Sequence, residues 1–158
     1  MELDELYHFT NKRPRTETRE NAYVMTMVSR FPRQIAGFDV AADKCAWRIQ
    51  RMVDEADWAK KYCTDGYFGY LDVVFPGEHA YNIHNKNDTF TAESVNADLR
   101  HYIPLLRRRS KCFPRSIDTL YVVVSVFVEA YNKFGRAKAS WQTRHPQKRC
   151  PLAFVDFL

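Results

Sequence analysis

The sequence predicts an α/β fold built on a mixed sheet: three antiparallel strands, then parallel strands, flanked by helices. Two observations predict it. Three early runs carry strand-like hydrophobic patterning and are joined by short links, which describes an antiparallel meander. After Ala42 the spacing turns helical, and shorter strands then alternate with helices, which describes crossovers and parallel pairing. At 158 residues the chain is long enough for one domain with a substantial core.

The first strand is predicted from Glu2 to Phe9, with Leu3, Tyr7 and Phe9 on one face and Asp4, Leu6 and His8 on the other. A strand so close to residue 1 suggests that further residues normally precede it. Asn11 to Asn21 reads as a polar loop, Ala22 to Val28 as the second strand, and Ser29 to Arg33 as a turn containing Pro32. Gln34 to Val40 is the third strand. Cys45, Ile49, Met52 and Val53 then recur at helical spacing, with Asp43 as the expected N-cap of a helix ending near Glu55. Lys61 to Thr64 is a short strand ended by Asp65-Gly66, and the crossover before it predicts pairing parallel to the first strand. A short helix is expected over Tyr70 to Phe75 and a fifth strand over Ala80 to His84.

Asp88 or Thr89 is the expected cap of a central helix. Its apolar side is Val95, Leu99, Tyr102 and Ile103, and its polar stripe is Glu93, Asn96 and Arg100. Pro104 ends or kinks it. The last long element, Ser116 to Phe134, contains the strand-like run Val122 to Val128. Asp118, Ser125, Glu129 and Asn132 nevertheless fall on one helical stripe, with Ser116 as N-cap and Gly135 as stop. A helix buried around most of its circumference is predicted. Residues 136–158 form a basic tail whose apolar end, Pro151 to Leu158, is expected to dock on the domain formed by residues 1–135.

This order of elements describes a ribonuclease H-like mixed sheet. There the middle of the first strand lies beside the end of the fourth, which brings Asp4 and Asp65 together, and the helix after the fifth strand adds Glu93. Three carboxylates on three elements suit hard divalent cations such as Mg²⁺. Two such ions about 3.5–4 Å apart activate the attacking oxygen and stabilise the leaving oxygen of a phosphodiester. Asp65 is the best bridging ligand because Gly66 leaves space beside it; Asp4 suits the first metal and Glu93 the second or both. Nineteen acidic residues make some D…D…E pattern inevitable, so the argument rests on position. Glu5 is the neighbour most easily confused with Asp4, and pleating sends it to the opposite face.

The formal net charge of +5 favours a polyanionic partner or a solvated basic surface. Arg107, Arg108, Arg109, Lys111 and Arg115 form a basic run suited to DNA phosphates. His84 and Lys86 either contact a terminal phosphate or lie in an exposed turn, the turn being favoured for His84. Trp47 reads as packing on the first helix, and Trp141 as a weak stacking candidate among basic residues. The four cysteines, Cys45, Cys63, Cys112 and Cys150, are too far apart for a zinc knuckle and suit a reducing cytosol. No signal peptide is visible, and the longest apolar run is too short to span a bilayer.

The chain resembles the catalytic part of insertion-sequence-one family transposases of the DDE type. The resemblance is carried by Leu3-Asp4-Glu5-Leu6-Tyr7, by Thr64-Asp65-Gly66-Tyr67 and, most specifically, by Glu93-x-x-Asn96-x-x-Leu99-Arg100. Arg108-Arg109-Ser110, Phe113, Arg115-Ser116 and Tyr131-Asn132 follow at the family's spacing, so that residues 2 to 135 are covered. The resemblance implies metal-dependent DNA strand cleavage and strand transfer, with Asp4, Asp65 and Glu93 holding two Mg²⁺ or Mn²⁺ ions. It implies DNA-backbone contacts from Asn96, Arg100 and Arg107–Arg109, with Lys86 as a further candidate. It also implies element ends and target DNA as partners, a homo-oligomer on DNA, and a cytoplasmic, nucleoid-associated location. Family members carry an upstream DNA-binding module, often from a second reading frame, and nothing in this sequence corresponds to it. The competing expectations are an inactive remnant that binds DNA or a partner, and a structure-specific nuclease on the same fold.

Overall fold

Strands β1 (Glu2–Thr10), β2 (Glu20–Ser29), β3 (Gln34–Ala41), β4 (Lys61–Thr64) and β5 (Glu78–Tyr81) form one sheet in the order β3-β2-β1-β4-β5. The helices are α1 (Ala46–Glu55), α2 (Phe90–Tyr102) and α3 (Ile117–Phe134). The structure is a computed structural model and describes residues 1–10, 20–81, 88–107 and 114–134. The polar loop after β1, His84, Lys86, Arg108, Arg109, Lys111, Gly135 and the tail 136–158 lie outside the described residues.

The meander and the crossover are both present. β1 pairs antiparallel with β2 from Glu2↔Val28 to Thr10↔Glu20, and β2 pairs antiparallel with β3. β4 is parallel to β1 through Glu2↔Cys63, and β5 is parallel to β4. The fold is therefore α/β with a five-stranded mixed sheet.

The pleat sends alternate residues of β1 and β2 to two cores. On one face Leu6, Val24 and Val28 pack with Val95 and Leu99 of α2 and with Leu120, Val124 and Phe127 of α3. On the other, Leu3, Met25 and Met27 pack with Ile49, Met52 and Val53 of α1 and with Tyr70. Each such side chain contributes about 1.5–3 kcal/mol on burial. Gly37 of β3 permits the close approach of α1: a Cβ there would stand 2.7 Å from Met52 Cγ.

Three local expectations are corrected. α1 begins at Ala46, after Cys45 in an extended conformation, and not at Asp43. The Asp43 carboxylate instead accepts from the Cys45 N–H at 3.3 Å and from Arg48 Nε at 3.2 Å, which organises the turn before the helix. The expected helix over Tyr70–Phe75 is a 3-10 turn over Phe68–Asp72 whose one buried residue is Tyr70. A single anchor provides no apolar stripe to sustain an α-helix. Finally, α3 is less enclosed than expected, because it packs on one sheet face beside the edge strand β3. Tyr121, Val122 and Val126 remain 43%, 58% and 62% exposed. Among the described residues no helix is long and apolar enough to cross a membrane.

Candidate metal centre

β1 and β4 set the site. Their register aligns Glu2 with Cys63, so Asp4 runs alongside Asp65 two residues further on. β4 ends at Thr64, and Asp65 therefore stands just beyond the ladder. The Tyr67 N–H donates to Asp65 Oδ1 at 3.0 Å, closing a short turn that fixes the carboxylate. The Tyr81 hydroxyl donates to the Gly66 carbonyl at 2.8 Å and ties this turn to the end of β5.

Asp4 faces α2. Asn96 Nδ2 donates to Asp4 Oδ2 at 2.8 Å, and the Thr26 hydroxyl lies 3.2 Å from Asn96 Oδ1. Thr26 stands opposite Asp4 in the β1–β2 ladder, and its hydroxyl also lies 3.3 Å from the Asp4 carbonyl oxygen. Asn96 is only 4% exposed, with both ends of its amide engaged. The bonds the structure gives it hold Asp4 and Thr26.

α2 is docked by an acid that the sequence reading passed over. Glu2, 1% exposed, accepts the N–H groups of Thr91 at 2.6 Å and Ala92 at 2.9 Å. A carboxylate at a helix N-terminus satisfies open donors and complements the helix dipole. Thr89, one of the two expected caps, is the N-cap residue, but it makes no side-chain cap bond. Arg30 completes the clamp by pairing with Glu2 and donating to the Asp88 carbonyl at 3.0 Å. Glu93 follows directly after the clamped residues, exposed in the first turn of α2.

The acids feel one another. Burial raises the Asp4 carboxyl above its usual range; the Asn96 bond lowers it in part, and the charges of Asp65 and Glu93 raise it again. Glu93 is nevertheless not one of the acids whose ligand atoms converge: among the described residues that group is Asp4, Glu5 and Asp65. Burial also raises Glu5, against the pull of Tyr70 and Lys44, and Asp65 adds to the rise.

Glu5 leaves β1 on the face opposite Asp4, as alternation requires, among the α1-side groups Lys44 and Tyr70. Its carboxylate nonetheless joins the site: Asp4, Glu5 and Asp65 each offer one ligand atom, all within 4.8 Å of one another. Because β4 stops at Thr64, the strand edge beside Asp4 and Glu5 is open, and side chains from both faces reach round it to Asp65. The donors are all carboxylate oxygens, the set preferred by Mg²⁺ and Mn²⁺ and not by softer metals.

The expected DNA contacts are placed unevenly. Arg100 is half-buried on α2, and its charge adds to burial in holding the His8 imidazole below its usual range. Arg107 is exposed, but its guanidinium donates to the His101 carbonyl at 2.8 and 3.2 Å and so closes the C-terminal end of α2. Glu2, Thr26 and Lys44 carried no motif signal. The period-two pattern of β1 does place Glu2 on the face of Asp4, and that was the legible trace. No family model matches this chain, and neither does a curated protein or a solved structure.

Proposed function

We propose that the chain is the catalytic domain of a DDE-type transposase on a ribonuclease H-like sheet, performing metal-dependent cleavage and transfer of DNA strands. The observation that carries this reading is the meeting of Asp4 and Asp65 at adjacent strand positions, with Glu93 in the first turn of the helix that Asn96 ties to Asp4. Strand order and strand direction agree with that fold. The ordered motif blocks around the three acids point to the same chemistry.

In this reading Asp4, Asp65 and Glu93 would hold the ions, and Asp65, beyond the end of β4, would be the shared ligand. Mg²⁺ or Mn²⁺ bound there would activate the attacking oxygen and stabilise the leaving one. The protein's own contribution is position. Asn96 and Thr26 hold Asp4, the Tyr67 N–H holds Asp65, and Glu2 fixes the turn that carries Glu93. Water would attack first to free a 3′-hydroxyl, and that hydroxyl would then attack target DNA. The partners in this reading are element-end and target DNA, a second copy of the chain on DNA, and a separate DNA-binding module.

The test is Mn²⁺-dependent nicking of supercoiled plasmid DNA by the wild type and by Asp65→Ala. Nicking by the wild type, lost in a folded Asp65→Ala, supports the proposal. Equal nicking by both proteins refutes it, and inactivity of both transfers weight to a chain that binds DNA without cutting.

A further inference from the structure

We propose that Glu5 is a ligand of the same divalent cation as Asp4 and Asp65, and that Lys44 is an internal counter-ion which the cation displaces from it. This rests on the metal-dependent reading above and adds to it a residue that the D…D…E pattern does not contain. Three observations carry it. The Glu5 side chain is 6% exposed, yet its Oε1 has no hydrogen-bond partner. A buried carboxylate oxygen left open is costly unless something occupies the space before it. The Glu5 ligand atom lies within 4.8 Å of those of Asp4 and Asp65, across the strand edge that β4 leaves open. The other oxygen, Oε2, is paired with Lys44 Nζ at 3.3 Å, and the buried Tyr70 hydroxyl also acts on this carboxylate.

Lys44 is suited to exchange. Its ammonium is a point charge on a flexible stem and needs no fixed geometry. It lies 3.5 Å from the centre of the Tyr67 ring, which offers a second cation position beside the carboxylate. Tyr67 also ties the pieces together: its hydroxyl donates to the Lys44 carbonyl at 3.1 Å, and its N–H donates to Asp65 Oδ1. A divalent ion at Asp65 repels the ammonium and attracts Glu5. Lys44 then remains on the tyrosine face while Glu5 closes on the metal.

Mn²⁺ alone is the probe, titrated calorimetrically into the full chain. Circular dichroism and thermal midpoint verify that each variant is folded. Wild type should bind, Asp65→Asn should lose binding, and Glu5→Gln should weaken it by about tenfold or more. Lys44→Met should tighten it roughly fivefold, because a competing charge is removed. Loss in Asp65→Asn with wild-type affinity in Glu5→Gln overturns the role of Glu5 and leaves the metal centre standing. Absence of binding in wild type, or unchanged binding in Asp65→Asn, overturns the metal-dependent reading itself. Unchanged or weaker binding in Lys44→Met overturns the exchange. Should Glu5→Gln fail to fold, Lys44→Met decides alone: unchanged affinity there refutes the proposal.

Discussion

Asn96 donates to Asp4 across 2.8 Å, and this bond joins the central helix to the first strand at the point where the acids gather. Asn96→Ala removes that bond and leaves the Thr26 hydroxyl with one acceptor fewer. A loss of about 2 kcal/mol in stability is expected, read by urea denaturation. Asn96 favours the charged form of Asp4, so its removal should also raise the Asp4 pKa further. Carboxyl NMR titration of the variant measures that. An unchanged or lower Asp4 pKa would disprove the clamp.

Glu2 holds the first turn of α2 with two accepted N–H bonds. Glu2→Gln keeps an acceptor oxygen but loses the charge that faces the helix dipole and Arg30. The expected cost is about 2 kcal/mol. Hydrogen exchange at Thr91 and Ala92 should accelerate relative to the middle of α2. Uniform exchange along the helix would remove Glu2 from this role.

Asp4 and Glu5 both have raised carboxyl pKa values, chiefly through burial. A raised folded-state value means that the native protein binds these protons more tightly than the unfolded chain does. Their contribution to stability is therefore full below the ordinary carboxylate range, about pH 4, and is lost as pH rises through the raised values. In the absence of metal, Asp4→Asn should be more stable than wild type at pH 7 by about 1 kcal/mol, or roughly 2–4 °C in midpoint. The difference should vanish below about pH 4. Thermal melts of both proteins across pH in chelator check this. A variant less stable than wild type at pH 7 contradicts it.

Mn²⁺ should reverse that order. A ligand that binds only the folded state raises stability by about 2.7 kcal/mol at a hundredfold excess over its Kd. The midpoint of wild type should rise with added Mn²⁺, more steeply at pH 7 than at pH 5, since the ligands must be deprotonated. Asp4→Asn should respond weakly at both values. Equal shifts in the two proteins would place the metal elsewhere.

α3 supplies a test of the packing. Val124 is fully buried, and Val122 is 58% exposed on the outer side of the same helix. Val124→Asp places an unpaired charge in the core and should unfold the chain, while Val122→Asp should cost less than about 0.5 kcal/mol. Circular dichroism at 25 °C distinguishes them; similar losses would mean that the helix is turned otherwise.

The sequence by itself determined the strand and helix order, because hydrophobic period is a local property that each segment carries alone. It placed the three antiparallel strands, the parallel fourth strand at Lys61–Thr64, and α3 despite the run of valines. It also singled out Asp4, Asp65 and Glu93, since each sits at a position whose neighbours announce it: an apolar strand, a glycine, a helical stripe. Only the tertiary structure decided what holds them. Glu2 reaches Thr91 and Ala92 across 89 and 90 positions of chain, and Asn96 reaches Asp4 across 92. Glu2 has no local signature, and the helical stripe that marks Asn96 does not say which residue it reaches. The same holds for Glu5. Alternation assigned it correctly to the face away from Asp4, but the early end of β4 opened the strand edge and let both carboxylates approach Asp65. Period two fixes which way a side chain leaves its strand; where the neighbouring strand stops decides what that side chain can reach.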